Sequence, residues 1–151
     1  MDITIRPARQ EDQETIVSYI QQAKINPRNL HWQNFFVAEE SGKIVGIRQI
    51  KVYSQGTREA ASGFVLPEYR RQGISAQLMN ALLARETGPV YAMVSQKRTA
   101  YYEQFGFRQV DPGKLPADFR REYRIGRLVT TLLSLFAKER IRIVPLKRAP
   151  S

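Results

Sequence analysis

The chain has 151 residues, 42% hydrophobic, 10% aromatic and 25% charged, which is the length of one ordinary domain and the composition of a chain that folds. With no cysteine it holds no disulfide, no thiolate metal site and no cysteine nucleophile. Twenty-four Lys and Arg against fourteen Asp and Glu give a formal charge of +10, which suits nucleic acid, an acidic membrane surface, a phosphate-bearing ligand, or simply a solvated basic face.

Residues 3–7 alternate like a short strand ending at Pro7. Glu11, Asp12 and Glu14 open a helical segment with Ile16, Tyr19, Ile20 and Ala23 on one face, stopped at Asn26-Pro27. Residues 35–38, the turn Ser41-Gly42 and residues 44–52 predict an antiparallel hairpin, and residues 57–66 a third strand ended by Pro67. Gly73 starts a helix carrying Leu78, Met79, Leu82 and Leu83. Residues 90–94 read as a central strand, and residues 99–104 as a helix halted by Gly106. After the loop at Pro112, Gly113 and Pro116, residues 119–138 have helical spacing, and Ile141, Ile143 and Pro145 suggest a last strand. The order predicts a single α+β domain around a mixed sheet. The first residues lack the basic-then-apolar order of a secretory signal, and the longest apolar-rich stretch, 128–137, is far short of the ~20 residues that cross a bilayer. A soluble, cytoplasmic chain is expected.

The segment Phe64-Val65-Leu66-Pro67-Glu68-Tyr69-Arg70-Arg71-Gln72-Gly73-Ile74-Ser75 takes a strand through a basic loop directly into an amphipathic helix. That order aims free backbone N–H groups and the positive end of a helix dipole at one spot, where Arg70 and Arg71 add charge and Gly73 admits close approach. Arg70-Arg71-Gln72-Gly73-Ile74-Ser75 resembles the acetyl-CoA pyrophosphate loop of the GNAT superfamily of N-acetyltransferases, Gln/Arg-x-x-Gly-x-Gly/Ala, with Ser75 at the place of a Gly or Ala. Downstream, Tyr102-Glu103-Gln104-Phe105-Gly106-Phe107 resembles the family's Tyr-x-x-x-Gly-Phe.

The resemblance implies a GNAT-like, mostly antiparallel sheet flanked by helices over residues 1–148, with 111–139 a basic helical insertion before the last strand and 149–151 a tail. It implies acetyl transfer from acetyl-CoA to a primary amine of a small molecule or protein by direct attack, without a metal. Tyr102 is then the acid for the leaving thiolate, since a phenol near ~10 can protonate a thiolate near ~8.5. Backbone at Phe64, Val65 and Leu66 would bind the cofactor arm and polarise the thioester. Residues Arg70, Arg71, Gln72, Gly73, Ile74 and Ser75 would hold the pyrophosphate. Glu59, eleven residues before Arg70, stands where some members carry a base, and ordered water is the alternative. Where members often place an Asn, this chain has Ser95-Gln96, either of which could substitute. The connection 29–35, with His31 and Trp32, usually lines the acceptor pocket, although core or surface roles for these two are the simpler expectation. A non-catalytic acyl-CoA sensor is the alternative reading.

Residues 107–151 carry eleven basic and four acidic side chains. Arg120, Arg121, Arg124 and Arg127 cluster at the start of the last helix, where positive charge opposes the macrodipole. An anionic partner (acidic protein, nucleic acid or lipid) would explain them, although no aromatic platform or zinc pattern marks a nucleic-acid module. The apolar stripe Ile125, Leu128, Val129, Leu132, Leu133 and Phe136 is expected to pack on the sheet. Oligomeric state stays open.

Overall fold

Alternation and turn chemistry translate directly into the first strands of the computed structural model, which describes residues 1–151. Strand β1 (Thr4–Pro7) is followed by α1 (Gln13–Ala23), β2 (Phe35–Glu40), β3 (Lys43–Val52), β4 (Arg58–Val65) and α2 (Ile74–Leu83). Then come β5 (Val90–Ser95), α3 (Thr99–Glu103), β6 (Phe107–Gln109), α4 (Ala117–Ser134) and β7 (Ile143–Arg148). The seven strands form one sheet in the order β1-β2-β3-β4-β5-β7-β6. Pairing is antiparallel for β1–β2, β2–β3, β5–β7 and β6–β7, and parallel for β4–β5, where Glu59 lies opposite Tyr91. This is the mixed, mostly antiparallel α+β architecture expected.

Contacts divide the chain into two compact units, Met1–Lys51 with Ala60–Glu86, and Val52–Glu59 with Thr87–Ser151. In the first, α1 buries Ile16 and Ile20 against Phe35, Val37 and Ile47, the apolar face its spacing announced. Helix α2 buries Ile74, Leu78, Met79, Leu82 and Leu83. In the second, Tyr91, Leu115, Phe119 and Tyr123 make a core against which Tyr53, Met93, Val110 and Ile143 pack.

Two expectations need correction. Strand β6 was not foreseen: three residues are too few to display a period of two. The last helix runs over Ala117–Ser134 rather than 119–138, and its long apolar stripe does not pack on the sheet. Phe119, Tyr123, Gly126 and Thr130 occupy a different face of the same helix. Phe119 and Tyr123 are buried, and at Gly126 a Cβ would stand 3.2 Å from Ile143 and 3.3 Å from Met93. That face holds two large aromatics and a close approach, so it takes the core side. Ile125, Leu128, Val129, Leu132, Leu133 and Phe136 are left exposed.

Candidate functional site

The loop after β4 is built on a change of backbone hand. Leu66 follows the strand, a turn of 3-10 helix spans Pro67–Tyr69, and Arg70 is again extended. Arg71 then takes φ 63° and Gly73 φ 79° before α2 begins at Ile74. A left-handed Gly at this helix start turns the chain without a side-chain cap. The amides of the first helical turn have no acceptor within the helix, and they carry the positive end of its dipole. A Cβ built on Gly73 would meet nothing within 4 Å, so open space stands before this helix start. Arg71, Gln72 and Gly73 are exposed, Ser75 is half-buried, and Ile74 is buried in the core. The residues present fit a diphosphate: backbone donors, room, and cationic side chains.

Within the same unit, Arg70 is partly committed. Its Nε donates to the Val65 carbonyl (2.9 Å), and its guanidinium lies 5.6 Å from the Phe64 ring centroid. The Leu66 amide donates to the Val45 carbonyl of β3, and the Leu66 carbonyl accepts from the Tyr69 amide, both at 2.9 Å. Because backbone groups of neighbouring strand residues point to opposite edges, the Val65 amide points away from β3. Leu66 is thus spent on structure.

The connection before β2 is tied down by Gln13, whose side chain donates to the Leu30 carbonyl (2.6 Å) and accepts from the Trp32 amide (2.9 Å). Trp32 packs on the first unit's core, and His31 is exposed. Also in this unit, Arg48 is buried with its guanidinium against Gly63, where a Cβ would stand.

Glu59, Ser95, Gln96 and Tyr102 all lie in the second unit. Glu59 is buried at 4% exposure and accepts a 2.6 Å hydrogen bond from the Tyr53 hydroxyl. Sequence reading missed Tyr53. The Gln55-Gly56 turn brings Tyr53 near Glu59, a pairing that follows from the folded turn rather than from a residue pattern. The Tyr53 amide donates to the Thr57 carbonyl (2.8 Å) and the Gly56 amide to the Tyr53 carbonyl (2.9 Å). Asp118, at the start of α4, accepts from the Thr57 hydroxyl (2.6 Å) and the Gln55 amide (2.9 Å) and so holds this turn. Burial opposes its ionisation, but these bonds and that from the Phe119 amide outweigh it and keep the carboxyl below its usual range.

Ser95 ends β5 and precedes a 3-10 turn at Gln96–Arg98. The Gln96 amide donates to the Arg142 carbonyl (2.8 Å), and the residue is exposed. Tyr102, on α3, is 5% exposed and packs edge-on against Phe107, with ring centroids 5.6 Å apart. Gly106, at φ 90°, makes the turn between them. The Tyr-to-Phe spacing in the sequence is therefore a packing unit that fixes the phenol.

The acetyltransferase (GNAT) domain family has a profile matching residues 31–109, and the chain belongs to that family. An uncharacterized N-acetyltransferase of Chlorobaculum tepidum is 27% identical over 95 residues, which cover 61% of this chain and 61% of that relative. The fold is similar to N-acetylglutamate synthase from Neisseria gonorrhoeae, complexed with coenzyme A and N-acetyl-glutamate. There the TM-score is 0.77 at 18% identity, over 100% of this chain and 36% of that one. It is also similar to a Mycobacterium tuberculosis protein solved in complex with CoA, with a TM-score of 0.71 at 21% identity, over 98% and 99% of the two chains. The chain thus spans about three-fifths of the curated relative's length and about a third of the Neisseria synthase.

Proposed function

We propose that this chain is an acetyl-CoA-dependent N-acetyltransferase acting on a primary amine of a small molecule or protein. The observation that carries the reading is the left-handed, uncapped start of α2 at Gly73, with open space before it, inside a chain of this family. Bound acetyl-CoA supplies a thioester whose acyl carbon an amine can attack. Amides at the start of α2, with Arg71 and Gln72 beside them, hold its diphosphate, and Arg70 stiffens the loop through Val65. The Val65 amide donates to the thioester carbonyl oxygen, where negative charge grows. Glu59, oriented by Tyr53, takes a proton from the acceptor ammonium so that the free amine can attack, and Tyr102 gives one to the departing sulfur. Ser95 and Gln96 supply polar groups at the end of β5. Residues 111–139, which contain α4, we read as a basic helical insertion before the last strand.

The Neisseria synthase was solved with an N-acetylated amino acid, so amino acids head the list of acceptors to try. A free-thiol assay with acetyl-CoA against amino acids, polyamines and N-terminal peptides tests the reading. Thiol release with one acceptor class is expected. Tyr102→Phe keeps the ring that packs on Phe107 and should lower kcat by about 100-fold with acetyl-CoA affinity unchanged. Coenzyme binding with no turnover on any amine would instead favour a sensor.

A further inference from the structure

Helix α4 carries three stripes. Phe119, Tyr123, Gly126 and Thr130 face the core, Arg120, Arg124 and Arg127 form a second row, and Ile125, Leu128, Val129, Leu132 and Leu133 a third. The third row stands in water and continues past the helix end: Leu128 is 62% exposed, Leu132 52%, Leu133 56% and Phe136 92%. Soluble monomers rarely leave an apolar face of this extent unused.

We propose that α4 and the segment following it bind an anionic phospholipid surface, the Leu and Phe ridge entering the acyl boundary while the flanking arginines meet headgroup phosphates. This inference is independent of the acetyl-transfer reading. The charge distribution selects the partner. From Tyr123 to Arg142 there are five cations, Arg124, Arg127, Lys138, Arg140 and Arg142, and a single acid, Glu139. Glu139 is paired with Lys97, which holds its carboxyl below the usual range.

The cations are also organised. The Ile141 amide donates to the Ser134 hydroxyl (2.9 Å), which donates to the Thr130 carbonyl (2.7 Å), so the return segment is pinned to the helix. Arg127, Arg140 and Arg142 thereby line one hollow of about 310 Å³ beside the apolar ridge. A low overall hydrophobicity with leucines on one face and arginines on the next describes a helix lying in a membrane interface, not across it. No helix here is long and apolar enough to cross a membrane. A second copy of the chain would bring like charges together, whereas an anionic bilayer accepts the cations and the ridge at once.

The test is co-sedimentation of the full chain with vesicles of phosphatidylglycerol and of phosphatidylcholine. Binding to the first is expected, at least ~10-fold weaker to the second, and weakened ~10-fold by raising salt well above physiological strength. Leu132→Asp with Phe136→Asp should abolish it while circular dichroism shows the fold retained, because both side chains are more than half exposed, and Leu132→Gln with Phe136→Gln, which adds no charge to the helix end, should do the same. Arg140→Glu with Arg142→Glu should weaken it ~10-fold. Failure to sediment with phosphatidylglycerol overturns the proposal, as does binding that ignores salt. Displacement by millimolar inorganic phosphate would mark a free-anion site instead. A dimer in light scattering that Leu132→Asp disperses would assign the ridge to a second copy, and a stable complex with an acidic protein but not with vesicles would assign it to that class.

Discussion

Gly73 is where a single residue's conformation and the proposed chemistry meet. Its φ of 79° costs a side-chain-bearing residue about 1 kcal/mol, and the space before it is open. Gly73→Ala should therefore destabilise the chain by about that amount and weaken acetyl-CoA binding by about 10-fold, because the added methyl occupies the approach to the amides. Denaturant melts and calorimetric titration separate the two effects, and unchanged affinity would remove the loop from the coenzyme site. Glu59 offers a second case. Glu59→Gln should reduce kcat by ~100-fold or more at constant KM if the carboxylate is the base, and Tyr53→Phe by a smaller factor, since it removes only the group that orients it. Full activity in Glu59→Gln would leave proton removal to ordered water.

Among elements, the start of α4 clamps the β3–β4 turn through Asp118. Asp118→Ala removes the acceptor of the part-buried Thr57 hydroxyl and of the exposed Gln55 amide, so a loss of about 1 kcal/mol is expected, with faster hydrogen exchange in residues 53–58. Loss of stability without that local exchange signature would place the effect elsewhere. Elements announced by strong local chemistry were legible: the Ser41-Gly42 hairpin, the Pro67 strand end, the Gly73 helix start and the apolar run 90–94 all stand where the sequence marks them. The loop proposed to hold the coenzyme has a backbone course that was legible for the same reason, since its physics is local. Strand β6 was not, being too short to show a period. The packing of α4 was misread because periodicity identifies an apolar face without saying what it meets. This helix has two such faces, and the one with Phe119, Tyr123 and a glycine allows the closer fit. Tyr53 as the partner of Glu59 needed the hairpin geometry, which no residue pattern states outright.

For the molecule as a whole, the balance of 24 basic and 14 acidic side chains makes acid the vulnerable direction. Arg6 donates to both Asp12 oxygens (2.8 and 3.2 Å), and the Arg9 amide adds a third bond (2.7 Å). Arg6 first of all, against the cost of burial, holds the Asp12 carboxyl below its usual range, and Asp118 is held low by its own donors. A carboxyl depressed in the folded state contributes stability that is complete above its unfolded pKa of about 4 and is lost as pH falls through the folded value. Below about pH 4 both contributions should therefore fade together, while protonation of the remaining acids leaves the cations to repel one another. Urea midpoints measured against pH should hold level near neutrality and drop steeply in acid. Asp12→Asn should cost about 3 kcal/mol at neutral pH, because it removes the carboxylate bound at 2.8 Å and leaves the largely buried Arg6 with Glu39 at 3.3 Å and the Pro7 carbonyl at 3.1 Å. Combined with Asp118→Asn it should flatten the acid limb, since the proton uptake driving it is then gone. An acid limb as steep in the double variant as in the parent would mean that other carboxylates govern acid unfolding.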